Sequence, residues 1–248
     1  MTYLPTFGSY DLPMTLYPVQ EPAESAIAIS RRARGHGASA SAKRLTEKVI
    51  RMEGGLLQSA GTPLRAQIDD LKAGLQGSAN LCLEVDRYWR NVQLRDFEVN
   101  YEGTGYGRMA RLHLGFVSGD PYQYSKTTTT DSRAISATGQ TKATTNSGNA
   151  PACPTLSLTV GGSGAVTLGC TVTNNTTGEN FTLAGAVTGG DVIVVDCLEQ
   201  TVTISGVDKT SLFDGVFPSL AVGSNTIQVD YSAGTITNLS LAHNARWY

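Results

Sequence analysis

The chain has 248 residues and nearly balanced charge, 19 Lys+Arg against 21 Asp+Glu, which gives no general electrostatic ground for a nucleic acid or an anionic membrane as partner. No apolar run approaches the ~20 residues of a membrane span, and Met1-Thr2-Tyr3-Leu4-Pro5 lacks the basic start and apolar core of a signal peptide. The chain therefore reads as a soluble protein made and folded in a cytoplasm.

At this length one large domain or two ordinary ones fit, and a change of composition near the middle points to two. Pro5, Pro13, Pro18 and Pro22, set among Tyr3, Phe7, Tyr10 and Tyr17, forbid a long helix. They predict an extended opening segment, held on another surface by its aromatics or loose at the terminus. A short strand over 26–30 leads into a stretch carrying Arg31, Arg32, Arg34, His36, Lys43 and Arg44 among glycines, alanines and serines that cannot build a core. The next strand, Leu45–Gly54, makes this basic stretch the tip of a long hairpin. Two readings stand for it: a solvated loop, or an arm that meets an acidic surface on a neighbouring subunit or a passing phosphate backbone.

Thr62 as N-cap, Pro63 at the first position, an apolar stripe of Leu64, Ile68, Leu71 and Leu75, and Gly77 as a left-handed stop predict a helix over 62–76. Arg65, Asp69, Asp70 and Lys72 fall on its wet side, and the two carboxylates, being adjacent, share no face and make no catalytic pair. Leu81, Leu83 and Val85 alternate with polar residues, the chain turns at Asp86-Arg87, and 89–99 runs back as a strand. After the bend Gly103-Thr104-Gly105-Tyr106-Gly107, a strand places Ala110, Leu112, Leu114 and Phe116 on one face and Met109, Arg111 and His113 on the other. That bend is no nucleotide loop, since no helix follows it, and His113 reads as a surface histidine.

Composition shifts near Gly119. Residues 125–149 are rich in Thr, Ser, Ala and Gly, and read as a linker or as weak edge strands. Seven short strands follow, over 155–160, 165–172, 179–183, 191–196, 201–204, 226–231 and 235–241, the spacing of an antiparallel sandwich. Cys82, Cys153, Cys170 and Cys197 form no C-x-x-C pair and read as reduced, packed thiols. The Asn-x-Ser/Thr matches at Asn174, Asn175, Asn180 and Asn238 read as turn and strand-edge chemistry. Asp191 and Asp196 enclose an apolar strand and make no calcium loop.

Several of the turns carry a further signal. Asn146-Ser147-Gly148-Asn149-Ala150-Pro151, Asn174-Asn175-Thr176-Thr177-Gly178-Glu179, Gly190-Asp191 with Asp196, and the run from Phe217-Pro218-Ser219-Leu220 through Gly223-Ser224-Asn225-Thr226-Ile227 resemble, in order and spacing, the distal tail proteins of long-tailed bacteriophages. The resemblance is looser over the first half, where the strand ending at Gly54, the helix and the strand before Asp120-Pro121 carry it. It implies a mainly β protein of two β-sandwich domains: residues 1–124, with a flanking α-helix and a long hairpin arm, and residues 151–248, galectin-like, with 125–150 between them as linker or edge strands. It further implies a virion protein, assembled in the host cytoplasm into a homo-hexameric ring at the tail tip that joins the tail tube protein to hub and fibre proteins. In that setting the basic arm, with Arg31, Arg32, Arg34, His36, Lys43 and Arg44, clasps the next subunit or lines a lumen crossed by the tape-measure protein or DNA.

The residues alone offer nothing to name as acid, base, nucleophile, metal ligand or cofactor site: three isolated histidines, no G-x-S-x-G and no H-E-x-x-H. The rival to a structural connector is a carbohydrate-binding module of a tail tip that attaches to host glycans. His243-Asn244-Ala245-Arg246-Trp247 holds suitable residue types, but on a strand these alternate between faces and cannot converge on one sugar.

Overall fold

The computed structural model describes residues 4–13, 15–19, 25–26, 29–31, 38–40, 44–45, 47–59, 61–102 and 108–248. The chain divides into two compact units, residues 1–124 with Tyr248 and residues 125–247. Both are antiparallel and β-rich.

In the first unit the strands are β1 (Thr6–Phe7), β2 (Tyr10–Asp11), β3 (Leu16–Val19), β4 (Ser25–Ala26), β5 (Ile29–Arg31), β6 (Ala38–Ala40), β7 (Arg44–Leu45) and β8 (Lys48–Leu57). Helix α1 (Leu64–Gly74) follows, then β9 (Ser78–Cys82), β10 (Arg87–Glu102) and β11 (Met109–Ser118). Hydrogen bonding joins them in the order β3-β8-β11-β10-β9-β1-β2. A flat sheet would hold β1 three strands away from β11, yet the Phe7 and Phe116 rings lie 5.7 Å apart. The sheet therefore rolls over on itself. The roll is made in β10, whose register slips between Leu94 and Asp96 against β11 and between Trp89 and Val92 against β9. Bulges of this kind bend and over-twist a strand, and Asn91 within the second slip takes φ +49°, which asparagine tolerates better than most side chains.

Inside the roll, Phe7, Leu12, Leu16, Ile50, Met52, Leu81, Val92, Leu112, Leu114 and Phe116 pack with Leu71 of the helix and Leu75 just beyond its end. The alternation read in 109–116 matches the burial found there. Val85, by contrast, is 68% exposed, because β9 ends at Cys82 and the alternation ends with it. The helix also starts later than the capping pattern suggests. Pro63 is the extended residue before Leu64 and no side chain caps the helix, whereas Gln67 turns back to donate to Ser59 Oγ and the Thr62 carbonyl. Gly77 has the expected positive φ. The helix is pinned by Tyr10, whose hydroxyl donates to Asp70 Oδ2 at 2.9 Å. Burial, and then the Asp70 carboxylate, push the Tyr10 phenol up to about 12. Lys72 lies over the Phe97 ring.

The second unit contains β12 (Gln123–Ala134), β13 (Gln140–Asn146), β14 (Thr155–Val160), β15 (Ala165–Asn174), β16 (Asn180–Thr188), β17 (Val192–Asp196), β18 (Thr201–Ile204), β19 (Val207–Asp208), β20 (Phe213–Gly215), β21 (Gly223–Ala233) and β22 (Ile236–Trp247). Residues 125–150 thus contain β13 and most of β12. One layer runs β19-β18-β17-β14-β22-β12, the other β13-β21-β15-β16-β20. Their inner faces meet in one core: Leu156, Leu158, Ile193, Val195, Leu239 and Leu241 from the first against Cys170, Val172, Phe181, Leu183, Ile227 and Val229 from the second. This is the sandwich that period-2 patterning specifies. Burial pushes the Cys170 thiol up to about 12 and raises that of Cys197, and all four cysteines are free.

In the first unit β3 approaches β8 so closely at Gly54 that a methyl group there would collide with the Thr15 carbonyl. Gly54→Ala should lower stability by about 1–3 kcal/mol through this overpacking, read as a lower midpoint in urea. Gly55→Ala, whose nearest neighbour is the flexible end of Met109, should stay within about 1 kcal/mol, the usual glycine-to-alanine range.

Candidate functional site

Three of the turns singled out from sequence, over residues 146–151, 174–179 and 217–227, come together at one end of the second unit, whereas Gly190-Asp191 pairs with Val160 elsewhere. The loop from Phe217 to Val222 has few strand partners for its backbone. Its one ladder contact is the isolated bridge in which Ala152 and Leu220 exchange two hydrogen bonds of 3.0 and 2.7 Å. Side chains supply the rest. Asn225 Oδ1 accepts from the Ala221 N–H at 2.9 Å, while its Nδ2 donates to the Ala221 and Gly223 carbonyls. Asn174 Nδ2 donates to the Ser219 carbonyl at 2.7 Å, and its Oδ1 accepts from the Thr176 N–H. Asn146 Nδ2 donates to the Ala150 and Leu220 carbonyls, and its Oδ1 accepts from the Gly148 N–H. Glu179 Oε2 takes both the backbone N–H and the hydroxyl of Ser219, at 2.7 and 2.9 Å. The three asparagines are at most 1% exposed, so each amide replaces a ladder that the loop lacks. A stack of Phe217 on Phe213 at 3.9 Å, with Phe181 5.0 Å beyond Phe213, anchors the start of the loop.

A second polar cluster lies along β13. Thr144 Oγ1 donates to Asp131 Oδ2 at 2.7 Å, and Lys142 Nζ is 3.2 Å from Asp131 Oδ1. The Thr144 hydroxyl, ahead of the lysine, holds the Asp131 carboxyl below its ordinary value. Arg133 Nη1 donates to the Thr141 carbonyl, and His243 Nε2 lies 3.2 Å from the Thr145 carbonyl. His243 is 2% and Arg246 8% exposed, the latter donating to Cys153 Sγ at 3.2 Å. Neither histidine nor arginine is open to a sugar, which adds burial to the alternation argument against the run 243–247 as a glycan site.

The first unit presents a cleft of about 630 Å³ lined by Arg51, Glu53, Arg95, Asp96, Glu98 and His113 among others. Register sets Glu53, His113 and Glu98 side by side on three neighbouring strands, with His113 Nδ1 3.3 Å from Glu53 Oε1. Asp96 folds over Gly115, where a side chain would strike its carboxylate. A smaller cleft of about 230 Å³ lies against Trp89, with Lys48, Glu84 and Gln123 at its polar positions. Among the described residues no three His, Cys, Asp or Glu side chains are gathered to hold a metal ion. What these surfaces offer chemically is charge-pair and hydrogen-bond contact.

Of the basic arm, the structure gives the backbone of Arg31, paired with Ala38, and of Arg44, paired with Ala26. β4 pairs with β7 and β5 with β6, as two sides of a hairpin. Arg32, Arg34, His36 and Lys43 lie outside the described residues, as does the bend at 103–107.

A family model described as the siphovirus-type tail component, C-terminal domain, matches residues 147–247, which bears out the resemblance read from the motifs. Among solved structures, the crystal structure of the Dit protein (gp 19.1) of SPP1, described as a paradigm of the hub adsorption apparatus of phages infecting Gram-positive hosts, aligns over 100% of both chains at a TM-score of 0.77 and 14% identity. Chains of the phage p2 baseplate in its activated conformation, with Sr and with Ca, cover 95% of this chain and 94% of their own at TM-scores of 0.48 and 0.49 and identities of 11% and 10%. No curated protein matches. The fold of the chain is that of SPP1 Dit.

Removing the Asn225 amide would strand the Ala221 N–H and two carbonyls. Asn225→Ala should therefore destabilise the protein by at least about 1–3 kcal/mol, measured by urea unfolding. Asn175→Ala, whose exposed amide meets only Gln228, should change stability by less than about 0.5 kcal/mol.

Proposed function

We propose, from the siphovirus-type tail-component domain over residues 147–247 and the Dit-like fold of the whole chain, that this protein is a structural component of the distal end of a phage tail. The observation that carries the reading is the full-length correspondence with SPP1 Dit at a TM-score of 0.77. Residues 1–124 form the assembling domain in this reading and the sandwich that follows is a galectin-like peripheral domain. Six copies close into a ring that joins the tail tube protein to hub and fibre proteins, in the virion and, during assembly, in the host cytoplasm. The work is done by surfaces and not by bond-breaking.

Two features support a connector. Hydrogen-bonded strand pairs give the segment between β3 and β8 the form of a hairpin, suited to reach a neighbour. The charged cleft of the first unit carries both signs, with Arg51 and Arg95 among Glu53, Asp96 and Glu98, which suits a complementary protein face better than a polyanion. The basic arm residues Arg31, Arg32, Arg34, His36, Lys43 and Arg44 clasp the adjacent subunit in this assembly, or line a lumen passed by tape-measure protein or DNA.

Light scattering with negative-stain imaging of the purified protein should show closed rings of about six chains, closed cyclic symmetry being the usual outcome of a head-to-tail interface. A strictly monomeric species at high concentration would overturn the connector. Deleting residues 31–43 should shift the population from rings to monomers if the arm clasps a neighbour, and leave it unchanged if the arm faces the lumen.

A further inference from the structure

The second unit closes one corner of its sandwich without a ladder. Among the described residues β13 has a strand partner, β21, on one side only, over seven register pairs from Gln140↔Val229 to Asn146↔Gly223. On its other side the backbone is met by single side chains: Arg133 at the Thr141 carbonyl and His243 at the Thr145 carbonyl, while the Thr144 hydroxyl reaches Asp131. The carbonyl of Thr145 can only accept, so Nε2 of His243 carries the proton and Nδ1 of the neutral ring presents a lone pair. That Nδ1 is buried and meets no hydrogen-bond partner. A second proton on the ring would put an unsatisfied N–H and a charge inside a side chain that is 2% exposed, a costly arrangement without an acceptor.

We propose that His243 is a proton-sensitive clasp: neutral, it ties β22 to the free edge of β13, and its protonation releases that edge and opens the corner of the sandwich in mildly acid solution. The charged groups of this corner are Asp131 and Arg133 on β12, Lys142 on β13 and Arg246 on β22. Asp131 favours the charged imidazole, as does the bond to Thr145, but burial outweighs both and holds His243 below the ordinary histidine value. Asp131 itself is held below its ordinary value, so it keeps its charge while the histidine titrates.

The sign follows from proton uptake. With the folded value below the unfolded one, the opened state binds more protons between the two. The closed corner is therefore undisturbed above about pH 6.5, the ordinary imidazole midpoint. It loses ground as pH falls below that, and the loss levels off once the clasped ring also protonates.

Hydrogen exchange of the full chain, corrected for intrinsic rates, should show protection of residues 140–146 falling by up to about tenfold per pH unit below pH 6.5, the limit for one linked proton. Residues 181–188 in β16 should hold their protection. His243→Gln keeps an N–H donor for Thr145 and cannot titrate, so it should abolish the pH dependence. Constant protection of 140–146 from pH 7.5 to 5.0 overturns the proposal, as does a Gln variant that keeps the dependence. Should that variant fail to fold, NMR titration of the wild-type chain, with only three histidines, decides. A depressed His243 midpoint shared by the β13 amides supports the clasp, and an ordinary midpoint with unmoved β13 amides overturns it.

Discussion

Everything at the end of the second unit where the three asparagines meet depends on giving partners to backbone groups that no strand can reach. The loop over residues 217–222 is drawn in against the core, with Leu220 fully buried, and a buried carbonyl or N–H without a partner costs as much as a lost hydrogen bond. Asparagine answers this because its side chain is a primary amide, with one acceptor and two donor hydrogens like a short piece of backbone. Asn146, Asn174 and Asn225 come from three different places in the chain and meet on one loop. Aspartate in the same places would offer only acceptors to carbonyls, and a hydrophobe would offer nothing. The residue type is dictated by the missing ladder.

This is why the turn motifs carry information in the sequence itself. Each quoted turn looks like local chemistry, and locally it is: Asn174 closes a turn through Thr176, and Gly178 takes the positive φ that turn requires. What the sequence cannot display is that the Nδ2 groups of Asn146 and Asn174 reach out of their own turns to the carbonyls of Leu220 and Ser219. Strand placement, by contrast, was legible wherever one face is buried and the other wet. Thr155–Val160 and Thr201–Ile204 appear with the bounds their alternation suggests. The later start of the helix and the early end of β9 were not legible: Pro63 is extended and Gln67 turns back on Ser59 and Thr62, and β9 stops at Cys82 within an alternating run. Nor was the roll of the first unit, which comes from register slips in β10 that leave the apolar period almost intact.

His243 and Arg246 show the opposite failure. Alternation along 243–247 puts these two residues on opposite faces of a strand, but the sequence does not show that both are buried, His243 against the Thr145 carbonyl and Arg246 against Cys153 Sγ. His243 is structural for the same reason the asparagines are: on the unpaired side of β13 its side chain stands in for a strand that is not there. The two devices differ in what disturbs them. Amides do not titrate, whereas an imidazole does.

The two long ladders of the first unit have a consequence of another kind. β11 is flanked by ten register pairs with β8 on one side and ten with β10 on the other. When force is applied along such a strand, its hydrogen bonds lie across the pull and share the load, instead of unzipping one after another. The strand moves only if both ladders shear together. The first unit is therefore stiff along the direction of β11 and far more compliant to peeling at its edge, where β3 holds β8 by four pairs.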